Sequence, residues 1–246
     1  NQYFNKFLNI TMINHTLKFK GIKFFDYPFS KLSKILENGG VLVAPAASAL
    51  TQITVDKDYY KSLKQADIAI FDSGLFCILI RLFYGKKIKK LSGYLFLKKF
   101  IDQYKIKNKK ILLIDPTLTD SKVNIKLMKR KKFRFIKSYV APFYKYKIFD
   151  LKLLNEIKRF EPNYIIINIG GGVQEKLGIF IKKNIKRSIP IICTGAAISF
   201  LTKRQAPIND IVDKYYLGWF WRIIFNPKKF FFRTMKSLKL IKLFIN

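Results

Sequence analysis

The chain has 246 residues, of which 50% are hydrophobic, so it can bury a sizeable core and does not belong to the disordered class. Its 48 Lys and Arg residues against 15 Asp and Glu residues give a formal net charge of +33, and such a surface attracts polyanions: nucleic acid, anionic lipid or phosphorylated substrates. No RNA-binding, zinc-finger or homeodomain signature accompanies the charge, so the sequence favours a membrane surface over nucleic acid as the partner.

The few histidines and cysteines argue against several kinds of site. With His15 as the single histidine, the chain lacks the ligands of a zinc site, and Ser-His-Asp or Cys-His catalysis would have to use that residue. Cys77 and Cys193 each lie within an apolar run, which predicts reduced core residues in a cytosolic protein. No apolar run reaches about 18 residues, so no membrane span is predicted.

Strand and helix patterns alternate along the chain, which predicts an α/β fold with a mostly parallel, Rossmann-like sheet flanked by helices. The predicted strands are 18–25, 41–43, 67–71, 111–114, 133–139, 165–169 and 190–195. The predicted helices are 31–38, 58–64, 75–84, 93–104, 121–131, 151–160 and 174–184, with Ser30 and Asp150 as N-caps of the first and the sixth. This α/β domain is predicted to span residues 18–213, between a poorly ordered stretch at 1–17 and a basic, aromatic, helical C-terminal appendage at 214–246.

A glycine turn is the feature around which the rest is arranged. Gly170, Gly171 and Gly172 follow the apolar run 165–169, and Gln174 and Glu175 open the next helix. Strand, glycine turn and helix together form the usual arrangement for holding a phosphate or a nucleotide sugar, because bare backbone N–H groups face outward. The spacing is neither G-x-G-x-x-G nor a P-loop, so a tight turn without a ligand is the alternative.

Two acidic motifs precede that turn. Asp72 follows the predicted strand 67–71 at the mouth of a helix, where a carboxylate is either a general base or an N-cap. Asp56 and Asp58 match the D-x-D pattern with which some sugar transferases hold a metal ion, but acids at the start of a helix are the simpler interpretation.

The C-terminal segment mixes aromatic and cationic residues and has no acid after Asp213. Trp219 and Trp221 suit the headgroup region of a bilayer, and further apolar residues recur at helical spacing: Phe231, Met235, Leu238, Ile241 and Ile245. The pattern predicts an interfacial helix on anionic lipid, with a helix docked on the protein's own core as the alternative. Arg222 and Arg233 of this segment are candidates to clamp a diphosphate.

The motifs taken together resemble the WecG/TagA/CpsF family of bacterial glycosyltransferases, from about Lys18 to Arg233. The matching positions are Ala66-Asp67, Asp72 with Gly74, Arg81 and Gly85, Gly170-Gly-Gly-Val-Gln-Glu175, Gly195-Ala-Ala, Arg204-Gln-Ala-Pro207, Leu217-Gly-Trp219, Arg222, Asn226-Pro227 and Arg233. The sequence departs from the family at the early Thr-x-Asn loop, which is Ala44-Pro-Ala46 here, and at a glycine-rich turn, which is Asp115-Pro-Thr117. These departures indicate a divergent branch.

The resemblance implies a hexosyltransferase without cofactor or metal. It would move an N-acetylmannosamine-type or related sugar from a UDP-sugar to a lipid-diphosphate-linked acceptor, in the synthesis of a surface polysaccharide or teichoic acid-type polymer. By the resemblance Asp72 is the catalytic base. The donor would lie along Gly170, Gly171, Gly172, Gln174, Glu175, Thr194 and Gly195, and the diphosphate or acceptor would meet Arg81, Arg204, Arg222 and Arg233.

The same resemblance implies a cytoplasmic protein held peripherally on the inner face of the cell membrane, with no specific nucleic acid partner. The alternative is an inactive family member that serves as a binding or scaffold protein in the same pathway.

Overall fold

A single nine-stranded sheet forms the centre of the protein in the computed structural model, which describes residues 10–13, 15–145, 147–204 and 235–245. The strands are β1 (Ile10–Ile13), β2 (Thr16–Phe19), β3 (Ile22–Phe25), β4 (Gly40–Val43), β5 (Ile68–Ile70), β6 (Lys110–Asp115), β7 (Phe135–Val140), β8 (Tyr164–Ile167) and β9 (Pro190–Cys193). Their spatial order is β1-β2-β3-β5-β4-β9-β8-β6-β7. All pairs from β3 to β7 in that order are parallel, and β1-β2-β3 is antiparallel, which confirms the predicted α/β class.

Helices cover both faces of the sheet. They are α1 (Phe29–Glu37), α2 (Ala47–Leu50), α3 (Lys57–Gln65), α4 (Gly74–Tyr84), α5 (Gly93–Asp102), α6 (Leu118–Arg130), α7 (Leu151–Phe160), α8 (Val173–Asn184), α9 (Ala197–Leu201) and α10 (Lys242–Ile245). Short 3-10 turns lie at Thr51–Thr54, Tyr104–Ile106 and Lys239–Ile241. Helices α3, α4, α7 and α8 pack on one face, and α1, α5, α6 and α9 pack on the other.

The central strands are apolar throughout because neither face of the sheet meets water. In β8, Ile165 and Ile167 join the core of one face, while Tyr164 and Ile166 join the other. Cys77 and Cys193 are free thiols in this core, as the sequence predicted. Helix α8 lies close to the sheet at Gly178, where a Cβ would be 3.0 Å from the Cys193 sulfur.

The N-terminal part of the sheet differs from the expectation. Residues 18–25, predicted as one strand, belong to two antiparallel strands, β2 and β3, joined by a two-residue turn at Lys20 and Gly21. Both turn residues have positive φ, 46° and 76°, which matches the twist of a hairpin. Strand β1 adds a further hairpin arm at Ile10–Ile13, inside the stretch expected to lack order.

Helix caps follow the sequence expectation in part. Asp150 accepts a hydrogen bond from the Leu153 N–H at 2.9 Å and caps α7, as predicted. Ser30 was the wrong cap: α1 begins at Phe29 after Pro28, and no side chain caps it. Pro28 supplies the extended backbone before the helix without a side-chain hydrogen bond, so the sequence has no capping side chain at this position.

The last described residues pack against the core. Leu240 and Phe244 are fully buried, and the Phe244 ring lies 4.8 Å from that of Phe19 and 5.9 Å from that of Phe76. Met235, Leu238 and Ile245 point outward and are 43%, 41% and 65% exposed. Over residues 235–245 the segment therefore docks on the protein's own core, which is the alternative that the sequence left open, while part of the predicted apolar face stays accessible.

Candidate active site

The carboxyl ends of the parallel strands bring the predicted site residues to one edge of the sheet. Asp72 follows β5, Ala44 follows β4, Thr194 follows β9, and the glycine turn follows β8. These four strands are neighbours in the order β5-β4-β9-β8. Ligands of doubly wound sheets bind at this edge, so the fold places the sequence motifs where a ligand site belongs.

No described residue covers the outer side of the glycine turn closely. Among the described atoms, a Cβ built on Gly170 or Gly172 would meet none within 4 Å, and one on Gly171 would meet only Ala49, at 3.9 Å. Gly172 has φ 92°, a conformation that strains any residue with a side chain. Helix α8 starts directly after it at Val173, so the open side of the turn coincides with the positive end of a helix dipole.

The buried side chains of Gln174 and Glu175 stabilise the turn by hydrogen bonds. The buried Glu175 carboxylate accepts hydrogen bonds from the Gly172 N–H at 2.7 Å and from the Gln174 side-chain amide at 3.1 Å. The Gln174 Oε1 accepts in turn from the Gly195 N–H at 2.7 Å. These two side chains therefore join the glycine turn after β8 to the glycine after β9, and their direct contact with a donor stays a prediction.

The environment of Glu175 favours its neutral form. Burial raises the pKa of this carboxyl from 4.5 to about 7, and the hydrogen bonds from Gly172 and Gln174 offset only part of that effect. Glu175 thus titrates near neutral pH in a position that both glycine loops share.

Thr194 lies between the turn and Asp72. It is 8% exposed, and its Oγ1 has no hydrogen-bond partner in the part of the chain that the structure describes. Helix α5 touches it at Gly93, where a Cβ would be 3.2 Å from the Thr194 Cβ and 3.1 Å from the Ala44 Cβ. The ends of β4 and β9 and the start of α5 therefore meet at Gly93.

Asp72 accepts a hydrogen bond at the same point. Its Oδ1 accepts from the Gly93 N–H at 2.7 Å, and within the described residues Oδ2 has no hydrogen bond to protein. The residue is half-buried. It does not cap the helix that follows it, because Ser73 does so by accepting from the Phe76 N–H at 3.2 Å. The carboxylate is thus fixed by one oxygen and keeps the other available.

A second acid, which the sequence analysis did not single out, lies beside Asp72. Asp26 follows β3, the neighbour of β5, and accepts a hydrogen bond from the Lys89 N–H at 3.0 Å. Asp26, Asp72 and Lys90 are all close enough to influence the Cys77 thiol, whose pKa burial raises to about 12. The signal was present, since Asp26 directly follows two phenylalanines at the end of a strand.

A buried polar network fills the end of β6. The Asp115 carboxylate is fully buried and accepts hydrogen bonds from Asn124 and Asn168, each at 2.7 Å, and from Ser138 at 2.6 Å. Burial raises its pKa. Asn168 directly precedes Ile169 and the glycine turn, so the network fixes the strand from which the turn starts. Asn168 interrupts the apolar run 165–169, and this polar position inside a strand pattern was the missed signal.

The predicted arginines fall in different places. Arg204 forms an ion pair with Asp120 at the start of α6, at 2.6 Å, and so has an acidic partner. Arg81 lies exposed on α4, about two helical turns beyond its first residue Gly74, or roughly 10 Å along the helix axis. Arg222 and Arg233 lie outside the described residues.

The D-x-D motif has the simpler role that the sequence favoured. Asp56 caps α3 by accepting from the Tyr59 N–H at 2.8 Å, and its other oxygen pairs with Lys176 at 3.0 Å. Asp67 lies at the amino edge of the sheet, away from the candidate site. Its carboxylate accepts hydrogen bonds from the Val41 N–H and from Lys182, each at 2.7 Å, and so stabilises the start of β4. Among the described residues, no three His, Cys, Asp or Glu side chains converge as metal ligands.

Among the described helices, none has an apolar stretch of the length that a bilayer crossing requires.

The chain matches a known family model, although no individual curated protein matches it significantly. The family model of the glycosyl transferase WecG/TagA/CpsF family matches residues 17–246, from β2 to the last residue of the sequence. The chain therefore belongs to the WecG/TagA/CpsF family of glycosyltransferases.

Proposed function

We propose that this glycosyltransferase moves an N-acetylmannosamine-type or related hexose from a UDP-sugar to a lipid-diphosphate-linked acceptor in the synthesis of a cell-surface polymer. The observation that carries the proposal is the single bonded oxygen of Asp72. Its Oδ1 is held by Gly93, which also packs on Thr194 beside the glycine turns, while Oδ2 has no hydrogen bond to the described protein. A fixed carboxylate with one oxygen available, next to an open backbone cradle, suits a general base beside a donor site.

In the proposed reaction, Asp72 Oδ2 takes the proton from an acceptor sugar hydroxyl. The acceptor oxygen then forms a bond with the anomeric carbon of the donor, and the bond from that carbon to the diphosphate oxygen breaks. The electron pair leaves with UDP. Because negative charge develops on the diphosphate, the site needs positive charge or N–H donors there.

The donor is proposed to lie across both glycine loops. The turn at Gly170 to Gly172 is not covered by any described residue, although its Gly172 N–H already donates to Glu175, and Thr194 and Gly195 offer a hydroxyl and a second turn. Gln174 and Glu175 act as positioning residues here, because their polar atoms already bond the two turns to each other. Their effect on donor binding then comes through the shape of the cradle.

Arginines are proposed to supply the remaining charge, and no metal ion takes part. Arg222 and Arg233 are the candidates from the C-terminal segment, with Arg81 and Arg204 as candidates nearer the sheet. The same segment is proposed to hold the protein on the inner face of the cell membrane. Met235, Leu238 and Ile245, which point outward together with exposed lysines, support this part. Transfer that persists in excess EDTA would support a reaction without a metal.

Replacement of the two neighbouring acids tests the catalytic assignment. Asp72→Asn should lower the transfer rate about 10²- to 10⁴-fold, the usual contribution of a general base, with an unchanged melting temperature. Asp26→Asn is the matched control, since it also removes a strand-end acid that accepts one backbone N–H. The measurement is transfer from a panel of radiolabelled UDP-sugars to a lipid-diphosphate sugar acceptor. Equal loss in both variants, or full activity in Asp72→Asn, would refute the assignment.

The same panel tests the alternative of a binding or scaffold protein. The replacement of the family's Thr-x-Asn loop by Ala44-Pro-Ala46 favours that alternative, because Ala44 packs on Gly93 without a polar group. A wild-type chain that a UDP-sugar protects against thermal unfolding, but that transfers no sugar to any acceptor, would establish binding without catalysis.

A further inference from the structure

The loop after β7 exposes two phenylalanine rings. Phe143 is 91% exposed and Phe149 is 70% exposed, and the flanking Val140 and Leu151 are 40% and 56% exposed. Phe149 has one ring contact with the described chain, to Phe180 at 6.5 Å between centroids. We call residues 141–145 and 147–150, the described part of the segment between β7 and α7, the aromatic loop. Neighbouring large apolar side chains that stay in water mark a contact surface for a partner.

Hydrogen bonds to the Asp150 carboxylate fix the base of the aromatic loop. The hydroxyl of Tyr139 donates to the Asp150 carboxylate at 2.9 Å, and the hydroxyl of Tyr144 donates to it at 2.7 Å. The same carboxylate caps α7 through the Leu153 N–H. Tyr144 is thus tied down next to the exposed Phe143. A surface whose frame is already ordered loses less conformational entropy when it binds.

The accessible charges within the loop have one sign. The sequence has no acidic residue between Asp120 and Asp150, and the Asp150 carboxylate is buried under three hydrogen-bond donors. Lys147 and Lys152 are exposed on either side of Phe149. Phenylalanine rings next to lysines match the boundary between acyl chains and anionic headgroups.

The loop faces the same side of the molecule as the candidate site. The Ala141 N–H donates to the Asp115 carbonyl at 2.9 Å, and β7, β6 and β8 are consecutive in the sheet. At the usual spacing of strands, the end of β7 is roughly 10 Å from the end of β8, where the glycine turn begins. A flat partner that touches the loop would therefore lie across the carboxyl edge.

We propose that the aromatic loop is a docking surface for an anionic lipid bilayer, separate from the C-terminal segment, and that it turns the carboxyl edge toward an acceptor held in that bilayer. The orienting role rests on the proposed function, whereas the lipid contact does not. The exposed rings and lysines on a protruding loop fit a fluid, negatively charged surface better than a pocket of fixed shape.

Vesicle binding of the full chain tests the surface. Sucrose-loaded vesicles of phosphatidylcholine with phosphatidylglycerol are sedimented with the wild type and with the double variant Phe143→Ser/Phe149→Ser. The double variant should partition roughly tenfold less, because each ring that leaves the apolar boundary loses the free energy of its burial. Phe135→Ser is the matched control, since Phe135 is 51% exposed on the same strand but at its amino end. The control should partition like the wild type.

The proposal fails if the double variant partitions onto vesicles as strongly as the wild type. It also fails if Phe135→Ser reduces the partition as much as the double variant does. It also fails if gel filtration shows that the double variant dissociates a dimer while vesicle partition is unchanged, because the loop then joins two copies of the chain.

Transfer to a water-soluble, short-chain acceptor separates this proposal from the proposed function. The double variant should keep that activity and lose activity toward the same sugar presented on vesicles. If the wild type transfers to neither acceptor, the proposed function fails, and the partition measurement still decides the lipid contact.

Discussion

The loops after β5 and β8 each bring a carboxylate to the same edge of the sheet, yet the two acids are held in opposite ways. Asp72 is half-buried and fixed through one oxygen, by the Gly93 N–H. Glu175 is fully buried, and both of its oxygens accept hydrogen bonds, from Gly172 and from Gln174. The first arrangement leaves one carboxylate oxygen without a hydrogen bond to the described protein, which suits the proposed base, whereas in the second both oxygens stabilise a turn. Position at a strand end therefore does not by itself distinguish a reacting group from a supporting one, and Asp26, which like Asp72 accepts one backbone N–H, is the control for that distinction.

Truncation of each acid should separate these roles most clearly. Glu175→Ala leaves the partly buried Gly172 N–H and the buried Gln174 amide without their partner and opens a cavity, so we expect a loss of about 2–5 kcal/mol in the free energy of unfolding. Asp72→Ala should cost about 1 kcal/mol, because it removes a single hydrogen bond from a half-buried position. Urea denaturation of both variants measures the difference. Similar losses would show that both acids support the fold to the same degree.

The pH dependence of stability should show the same contrast. Because burial raises the pKa of Glu175 from 4.5 to about 7, between these pH values the folded chain holds a proton that the unfolded chain has lost. The free energy of unfolding attributable to Glu175 should therefore fall as the pH rises through this range, by roughly 3 kcal/mol at most, and level off above it.

Urea melts at several pH values, compared between wild type and Glu175→Gln, isolate this contribution. The variant should lack the fall between about pH 4.5 and 7, whereas Asp72→Asn should retain it. A wild-type profile that rises over this range relative to Glu175→Gln would mean that the folded protein stabilises the charged form.

Substitutions in the ion pair of Arg204 with Asp120 should have the smallest effect on stability. The direction in which they change KM for the donor tests whether Arg204 binds the diphosphate. Its ion pair with Asp120 is partly exposed, at 40% and 23% for the two side chains, so either Arg204→Ala or Asp120→Asn should change stability by about 1 kcal/mol or less. If Arg204 binds the diphosphate, Arg204→Ala raises KM for the donor, and Asp120→Asn lowers it by releasing the guanidinium. If both variants leave KM unchanged, Arg204 only ties α9 to α6.

The sheet was predictable because its strands are covered on both faces. Runs such as 165–169 and 111–114 are apolar at every or nearly every position, and a strand of that kind has few other places in a folded chain. The hairpin at Lys20 and Gly21 was missed because a lysine with positive φ is uncommon and has no turn signature of its own.

The candidate site was predictable as a set of motifs but not as a set of contacts. Asp72 and the glycine turn stand out because strand ends and consecutive glycines are visible along the chain. The bond from Gln174 to Gly195 joins residues that are distant in sequence, and the order β5-β4-β9-β8 that brings them together depends on packing. The apolar spacing of the C-terminal segment was visible too, but it did not reveal that Leu240 and Phe244 face the core.

Gly93 has a further consequence for anyone who wishes to redesign acceptor choice. Its missing side chain sets the clearance between α5 and the ends of β4 and β9, and its backbone N–H holds the proposed base. A methyl group there would lie 3.1 Å from the Ala44 Cβ and 3.2 Å from the Thr194 Cβ, so the start of α5 or these strand ends would have to move slightly, and the hydrogen bond to Asp72 would change with them. Engineering of the proposed acceptor side should therefore change side chains around this glycine and leave the glycine itself in place.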